Sequence, residues 1–506
     1  MVTRITNQSQ QANSLQNIFR ITEKLFKTQQ EIATGKRINR PSDDPKGIRD
    51  ALLLRTNLNQ SNQFLKNISN NRIFIEASDT SLQSINLSLI RAKELSVGEL
   101  GAAASAETRN FAALEIDQLI SQVFDAANTK VKNKFIFSGT NFRVQPFSNE
   151  TSGAIYIGNT ETFKIGVANN VNIDFAIPGC KALVTDLNPK ITSSTSLSSL
   201  NGGIGITAGS FVISDRAGNT ANIIVDSTDN IGSLISKINN ASVNVTASIN
   251  SKGNGLQLAD TNSIISTALT ISEVSGGKTA AELGILGRKD GTLTGSDLNP
   301  IITTSTLLPD LECGNGIILN DVKIINGAAS ATVTLSSANT IGDVLSLING
   351  AGLNVTASIN TAGKSLQIKS NNSETVAIVK NLGADETAEN LGLGGGKNIF
   401  TTLFKLKDAL KKNDTAAILA SLENLDSSLE SVNGSRAIIG AGLSRVNNKG
   451  SVHEQEIVNR SEQLSNIEDA DIVKSASDLA NLEFALQATL GSTAQILQPT
   501  LLDFLR

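Results

Sequence analysis

The chain has 506 residues, with 43 Lys and Arg against 47 Asp and Glu, and a formal net charge of −4. This length predicts several domains, since a single core rarely extends beyond about 250–300 residues. The near balance of charge gives no general positive field, so neither nucleic acid nor an anionic membrane is an expected partner. Aromatic residues make up only 4% and Trp is absent, which predicts aliphatic cores.

The sequence shows no N-terminal apolar segment of the signal-peptide type. It also has no apolar run of the roughly 18 residues that a membrane-spanning helix needs. Membrane insertion is therefore not expected, and these features taken alone indicate a cytoplasmic protein.

The first predicted helix follows a polar, Gln- and Asn-rich stretch, residues 1–14, which we expect to be disordered. Apolar residues then recur in steps of three, four and seven positions, as they do along one side of a helix. This stripe consists of Leu15, Ile18, Ile21, Leu25 and Ile32, with Phe19 and Phe26 beside it.

A break between two helices is encoded next, in the sequence Gly-Lys-Arg-Ile-Asn-Arg-Pro-Ser-Asp-Asp-Pro that starts at Gly35. Glycine suits the residue after a helix, and Asp44 followed by Pro45 has the pattern of an N-cap and a first helical residue. Asp43 and Asp44 are therefore interpreted as capping carboxylates rather than metal ligands. Together with Pro41, these residues form the predicted hinge.

After the hinge, apolar residues recur every seven positions at Ile68, Ile75, Leu82 and Leu89, and no proline interrupts them. This pattern predicts one long helix with a seam for partner helices. A third helix is predicted over about 106–128, after a turn that contains Gly and Ala. Short strands are predicted further along, at 154–157 and 162–167.

The middle of the chain contains an internal repeat. Two segments recur 110 or 111 residues apart: Asp-Leu-Asn-Pro at 186–189 and 297–300, and Val-Thr-Ala-Ser-Ile-Asn at 245–250 and 355–360. Each copy has strand-like runs, a short helix at 231–239 or 341–349, and a further strand. The sequence therefore predicts two tandem small α+β domains.

Helices resume after the Gly-rich segment 392–396, which is interpreted as a linker. A short helix is predicted over 400–410, and a long one starts at Thr415. The last helix, about 472–497, aligns Leu479, Leu482, Leu486 and Ile496. The entropy cost of ordering its backbone exceeds the free energy gained by burying these four side chains, so this helix is expected to need partners.

The sequence offers little for catalysis. His453 is the only histidine, and Cys180 and Cys313 are too far apart for a metal motif or a disulfide framework. The Gly-rich segment has Asn398 where a phosphate-binding loop has Ser or Thr. We therefore expect no enzyme activity, no cofactor and no metal.

Three segments carry a family resemblance: the hinge, the Phe-Ile-Phe-Ser-Gly-Thr turn at 135–140, and the tail 498–506. They resemble the bacterial flagellins and their relatives. The Pro-Ser-Asp-Asp-Pro form of the hinge is more similar to the hook-filament junction proteins (hook-associated protein 3) than to filament subunits. The resemblance covers about 1–180 and 398–506, and the two repeats resemble the hook IN motif inserted in some of these proteins.

This resemblance implies a structural subunit that joins the flagellar hook to the filament and self-associates through its terminal helices into a ring. The partners it implies are a hook-side junction protein, flagellin and an export chaperone. The implied location is the flagellum, outside the cell, reached without a cleaved signal peptide. The subunit-packing residues would be Leu15, Ile18, Leu25, Leu479, Leu482, Leu486 and Ile496, and the hinge residues Gly35, Pro41, Asp43, Asp44 and Pro45.

The expected fold class is α+β: a long antiparallel helical bundle formed by both chain ends, with an inserted middle of small α+β, β-rich repeat domains. The expected domains are an N-terminal axial-core helix (1–42), a long-helix bundle with a small β region (43–180), two inserted repeats (181–290 and 291–396), the return helices (397–468) and a C-terminal axial-core helix (469–506).

Two other functions remain open at this stage. One is a flagellin with an inserted domain, which would polymerise indefinitely. The other is a flagellum-anchored module whose repeats bind a glycan or another surface, with the helices serving as an anchor. The hinge and the Phe-Ser-Gly-Thr turn favour the junction protein over the filament subunit.

Overall fold

The computed structural model describes residues 7–150, 153–174, 176–263, 266–383 and 385–497. They form two compact units, which are described separately. The terminal unit comprises the described residues up to 70, residues 166–171, and those from 446 onward. The middle unit comprises residues 71–165 and 172–445.

Long helices form both ends of the chain, as the apolar periodicity predicts. The helices are α1 (Asn7–Thr34), α2 (Pro45–Gly98), α3 (Ala106–Ala127), α4 (Gly179–Ala182), α5 (Ile231–Asn239), α6 (Thr279–Glu282), α7 (Leu311–Gly314), α8 (Ile341–Asn349), α9 (Thr387–Asn390), α10 (Ile399–Lys411), α11 (Thr415–Glu468) and α12 (Ile472–Leu497). The bounds of α5, α8 and α12 are those predicted, and α3 and α10 differ by one residue at most at either end.

The strands are short, and their pairs are antiparallel. They are β1 (Lys130–Val131), β2 (Lys134–Phe135), β3 (Phe147–Glu150), β4 (Gly153–Tyr156), β5 (Lys164–Ala168), β6 (Val171–Asp174), β7 (Gly209–Ser214), β8 (Thr220–Val225), β9 (Val245–Ile249), β10 (Leu256–Asp260), β11 (Leu269–Glu273), β12 (Gly287–Lys289), β13 (Thr292–Thr294), β14 (Asp321–Asn326), β15 (Ala329–Thr334), β16 (Val355–Ile359), β17 (Leu366–Ser370) and β18 (Ala377–Asn381). Helical ends with a middle of small sheets confirm the predicted α+β fold class.

The seven-residue seam of α2 is buried as predicted, at Ile68, Ile75, Leu82 and Leu89. The long helix α11 has a matching seam with the same spacing. Its buried members are Ile418, Leu425, Val432, Ile439 and Val446. A seven-residue apolar repeat keeps one side of a helix in contact with a partner, as in coiled coils.

The first helix differs from the sequence prediction. α1 begins at Asn7, so residues 7–14 are helical rather than disordered, whereas residues 1–6 lie outside the described part of the chain. α1 packs along α12 in the terminal unit. Packing of one helix on another supplies most helical stability in proteins, so a polar segment with weak propensity can be helical when its neighbour is present.

The Gly-rich segment before α10 is a buried loop rather than a loose linker, so that interpretation is corrected. Gly395 lies directly on α11, where a Cβ atom would come within 2.2 Å of the carbonyl oxygen of Asn424. Only a residue without a side chain allows so close an approach of two backbones.

Each repeat has its own apolar core, closed by one capped helix. In the first repeat, Asn230 caps α5 and exchanges hydrogen bonds with Ser233. Thr340 and Asp343 do the same for α8 in the second repeat. The sheets have the strand orders β12-β11-β7-β8 and β13-β10-β9 in the first repeat, and β15-β14-β18 and β16-β17 in the second.

The two Asp-Leu-Asn-Pro segments are interchanged between the repeats. Leu187, which belongs to the first repeat in sequence, lies in the core of the second repeat, and its amide donates to the carbonyl of Lys364 at 2.8 Å. Leu298 lies in the core of the first repeat, and its amide donates to the carbonyl of Asn254 at 2.8 Å. The repeats are therefore joined by exchanged segments, which their sequence pattern does not predict.

Candidate assembly site

The terminal unit contains the predicted packing residues, on the paired helices α1 and α12. Ile18, Leu25, Leu479, Leu482 and Leu486 are partly buried, and Leu15 is exposed. The helix at Ile496 is described, but its side chain lies outside the described residues. One side of each helix is thus partly covered within the chain, and a role of these residues between subunits stays a prediction.

Other apolar side chains of the same two helices point away from the chain. Phe19, Phe26 and Phe484 are 71%, 63% and 75% exposed. Phe19 and Phe26 are seven residues apart and lie on one side of α1. Val473 and Phe484 are eleven residues apart and share a side of α12. Clustered exposed apolar side chains mark interaction surfaces in soluble proteins.

The hinge between α1 and α2 is built as its sequence predicts. Gly35 has a φ of 68°, a left-handed conformation that glycine adopts without strain. Asp44 accepts a hydrogen bond from the amide of Gly47 at 2.8 Å and so caps α2, which begins at Pro45. The capping interpretation of Asp44 is confirmed. Pro41 lies in the turn between the two helices.

Asp43 closes the turn inside the hinge and does not cap α2, so its interpretation as a capping carboxylate is corrected. It accepts hydrogen bonds from the backbone amides of Arg40 at 2.7 Å and Asn39 at 3.0 Å. Those backbone hydrogen bonds, first from Arg40 and then from Asn39, lower the pKa of Asp43, and the bond from Gly47 does the same for the pKa of Asp44. Both carboxylates therefore accept hydrogen bonds from backbone amides of the hinge. The functional role of these residues as a hinge stays a prediction.

The hinge is joined to the second helix connection of the terminal unit, between α11 and α12. The amide of Arg37 donates to the carbonyl of Glu468 at 2.6 Å, and the amide of Ala470 donates to the carbonyl of Gly35 at 2.9 Å. Lys36 and Asp469 therefore form an antiparallel bridge. We call this pairing of residues 35–37 with residues 468–470 the clasp.

A buried carboxylate lies at the centre of the clasp. The Glu468 side chain is only 1% exposed, and Lys36 Nζ lies 3.0 Å and Arg55 Nη2 2.7 Å from its Oε2. Burial opposes ionisation of Glu468, but the hydrogen bonds from Arg55 and Lys36 outweigh it and the pKa of Glu468 is lowered. The bond to Glu468 in turn raises the pKa of Lys36.

Sequence reasoning missed the clasp. A signal was present, since Lys36 and Arg37 stand in one helix break and the run Glu468-Asp469-Ala470-Asp471 in the other. Complementary charges in two short breaks suggest a pairing. Nothing in a sequence alone, however, shows that two segments more than 400 residues apart lie side by side.

His453 and Cys180, which were considered as candidate catalytic or metal-binding residues, are buried. His453 is buried, with its Nε2 2.7 Å from the carbonyl of Val167 and its ring stacked on Phe64. Cys180 is buried and free, and burial raises the pKa of its thiol. The side chain of Cys313 lies outside the described residues. Within the described ranges, no group of three or more His, Cys, Asp or Glu could hold a metal ion.

None of the helices in the described part of the chain combines the length and the apolar character needed to cross a membrane.

Both ends of the chain match known family models. Residues 5–142 match the bacterial flagellin N-terminal helical region, and residues 422–505 match the bacterial flagellin C-terminal helical region. Both ends of the chain are therefore similar to the helical regions of bacterial flagellins.

Individual relatives include both filament and hook-associated proteins. The flagellar filament 30.7 kDa core protein of Treponema maltophilum is 32% identical over 127 residues, which are 25% of this chain and 43% of that protein. The flagellar hook-associated protein 3 of Escherichia coli is 26% identical over 164 residues, 32% of this chain and 50% of that protein. The chain thus spans about half the length, or less, of these curated relatives.

Among solved structures, the FlgL crystal structure from Xanthomonas campestris is 13% identical, with a TM-score of 0.36, and the match covers 81% of this chain and 97% of that one. At this TM-score the likeness carries no argument, and the similarity to flagellins rests on the two terminal regions.

Proposed function

We propose that this chain is a structural subunit of the bacterial flagellum that joins the hook to the filament. Copies associate through the terminal helices into a ring, with a hook-side junction protein and flagellin as neighbours. An export chaperone would hold the chain before assembly. Residues 1–42 and 469–506 form the axial core in this proposal, and the two inserted repeats, 181–290 and 291–396, lie outside it.

One observation carries the proposal: the helix pair of the terminal unit exposes large apolar side chains. Burying a Phe is worth about 1.5–3 kcal/mol. Burying Phe19, Phe26 and Phe484 between subunits is therefore worth about 5–9 kcal/mol for each copy. The entropy cost of association is about 4–15 kcal/mol, so this driving force offsets a substantial part of it.

The clasp supports the same role. It ties the start of α12 to the end of α1, because Lys36 and Arg37 bind the last residues of α11 and the amide of Ala470 donates to the carbonyl of Gly35. The two terminal helices are therefore tied together at their hinge end, and a neighbouring copy would meet both at once. Helices that are already joined lose less freedom on binding.

A filament subunit is the second candidate, because the relatives include filament core proteins of Treponema phagedenis and Treponema maltophilum. The two functions differ in one property. A filament subunit adds to copies of itself without limit, whereas a junction subunit stops after a ring.

Negative-stain microscopy of the purified full chain separates them. The protein is imaged at high concentration, first alone and then with short filament seeds. The junction role predicts no long filaments from the protein alone and binding confined to one end of the seeds. Long filaments from the protein alone would establish the filament role instead, and an absence of any end binding would contradict both.

A matched pair of variants tests whether the exposed apolar side chains of the terminal helices form the interface. Phe484→Ser removes an exposed apolar side chain of α12, and we expect it to weaken end binding by about tenfold or more. Phe111→Ser is the control, since Phe111 is similarly exposed, at 62%, but lies on α3 in the middle unit. Equal loss of binding in both variants would count against an interface on the terminal helices.

A further inference from the structure

A buried group of polar side chains lies in the middle unit, where the exchanged Asp-Leu-Asn-Pro segments meet the second repeat. Its members are Asp186 from the first segment, Asn299 from the second, and Lys364 from the turn between β16 and β17. The Asp186 side chain is 3% exposed and that of Lys364 is 6% exposed. Burial of a lysine with a carboxylate is costly, and such groups are usually kept for a reason beyond stability.

The amine of Lys364 has three polar neighbours. It contacts Asn299 Oδ1, lies 3.4 Å from the carbonyl oxygen of Pro300, and lies 3.6 Å from Asp186 Oδ2. Asp186 Oδ1 accepts a hydrogen bond from the amide of Asn188 at 3.0 Å, but its Oδ2 has no hydrogen-bond partner among the described residues. One carboxylate oxygen is thus left beside the amine.

These neighbours have complementary chemical roles. An amine is a nucleophile in its neutral form, an asparagine carboxamide is an electrophile that can lose ammonia, and a carboxylic acid in a dry site can carry the proton. Burial raises the pKa of Asp186 and favours its protonated form. Asp186 therefore lies beside the Lys364 amine as a group that can take a proton from it, and the same amine contacts the Asn299 amide.

We propose that Lys364 and Asn299 become joined by an intramolecular amide bond, with Asp186 as the proton carrier. Lys364 Nζ gives a proton to Asp186 Oδ2, its neighbour at 3.6 Å, and attacks Cγ of Asn299. The tetrahedral intermediate collapses, the Cγ–Nδ2 bond breaks, and Nδ2 leaves with the transferred protons. Charged lysine plus carboxamide give a secondary amide plus ammonium, so no oxidant or other reactant is needed.

The surroundings allow this reaction. A cavity of about 50 Å³ lies beside the group and is lined by Tyr156, Asp186 and Lys364, among others. This space is larger than one water molecule requires, so the released ammonia has room. The fixed contact between amine and amide also supplies the high effective concentration that speeds intramolecular reactions.

The first repeat provides an internal comparison. The residue that corresponds to Lys364 there, 110 positions earlier, is Asn254, which accepts a hydrogen bond from Asn250 at 3.0 Å. It has no amine, so the reaction is confined to the second repeat. The bond would close a loop of the chain between residues 299 and 364, which contains β14, β15, α8 and β16.

Mass spectrometry of the full chain tests the proposal directly. The intact mass should fall short of the sequence mass by one ammonia. Trypsin should fail to cut after Lys364, and the peptide 290–323 should be recovered covalently attached to the peptide 324–369. A full sequence mass with separate linear peptides would overturn the proposal, and so would a loss of one water, because that would mark a carboxylate as the partner of the lysine.

Variants separate the roles of the three residues. Lys364→Arg and Asn299→Ala should restore the full sequence mass, and Asp186→Asn should slow the loss of ammonia by at least tenfold in folded protein. Lys190→Arg is the control, because Lys190 Nζ pairs with the Asp310 carboxylate at 2.8 Å, and it should keep the link. Link formation at the wild-type rate in folded Asp186→Asn would remove Asp186 from the reaction. Because the readout is a mass, the result is independent of the proposed flagellar role.

Discussion

At the scale of single residues, the hinge is held by hydrogen bonds between near neighbours, whereas the clasp joins side chains more than 400 positions apart. Asp44 and Gly35 were predicted correctly because a cap or a left-handed turn depends on a few neighbouring positions. Glu468 was missed, although its carboxylate is the most buried charge of the clasp. Its partners Lys36 and Arg55 stand at the other end of the chain, and a pattern of charges does not specify that pairing.

We predict that Glu468→Gln destabilises the terminal unit by about 1–3 kcal/mol, because two cations lose their charged partner. The loss stays below the roughly 3–5 kcal/mol of a fully buried pair, since Lys36 and Arg55 are 40% and 49% exposed and water partly replaces the lost bonds. Urea unfolding followed by far-UV circular dichroism measures the loss. Glu462→Gln, at an exposed position of the same helix, is the control and should change stability by less than about 0.5 kcal/mol.

The same carboxylate makes stability depend on pH in a defined direction. The pKa of Glu468 in the folded chain lies below its ordinary value of 4.5, so its contribution is complete above that value and is lost as the pH falls through the folded pKa. The difference in unfolding free energy between wild type and Glu468→Gln should therefore shrink as the pH is lowered from 6 to about 3. A difference that stays constant over this range would show that the charge of Glu468 is not what stabilises the clasp.

At the scale of elements, apolar spacing located the long helices, but close packing decided features that spacing does not encode. The seam of α2 was predicted from its seven-residue repeat, and Pro45 marked a boundary. The polar start of α1 and the buried Gly-rich loop were misjudged, because both depend on a neighbouring element. Polar residues and glycines have a low intrinsic tendency to form ordered structure. Packing on α12 orders the start of α1, and packing on α11 orders the Gly-rich loop.

Two glycines of this region should respond in opposite ways to the same change. Gly395→Ala places a Cβ atom 2.7 Å from Cα of Asn424, so we expect a loss of about 1–3 kcal/mol in unfolding free energy. Gly434→Ala, inside α11, meets nothing within 4 Å and should gain up to about 1 kcal/mol from helix propensity. Thermal unfolding of both variants measures the pair. A neutral Gly395→Ala would show that the loop can move away from α11.

At the scale of the whole molecule, the order of segments along the chain does not match their order in space. The sequence pattern identified two copies of one repeat, and each copy has its own core. It did not show that each Asp-Leu-Asn-Pro segment contributes its leucine to the other copy. Identical segments carry identical apolar patterns, so periodicity cannot distinguish a segment that packs on its own repeat from one that packs on its twin.

The exposed phenylalanines of the terminal helices should make the ends of a free monomer sensitive to chymotrypsin. Cleavage needs local unfolding, and α1 and α12 lack the packing energy of about 5–9 kcal/mol that neighbouring copies would supply for Phe19, Phe26 and Phe484. We expect early cuts at these residues in dilute monomer and their protection after binding to filament seeds. Phe111 is a matched internal control, because its helix α3 packs on α10 within the middle unit. We expect the chain to resist cleavage at Phe111 in both states. If the terminal phenylalanines of a demonstrated monomer were as resistant as Phe111, the terminal unit would be stable without partners, and its exposed apolar surface would need an explanation other than assembly.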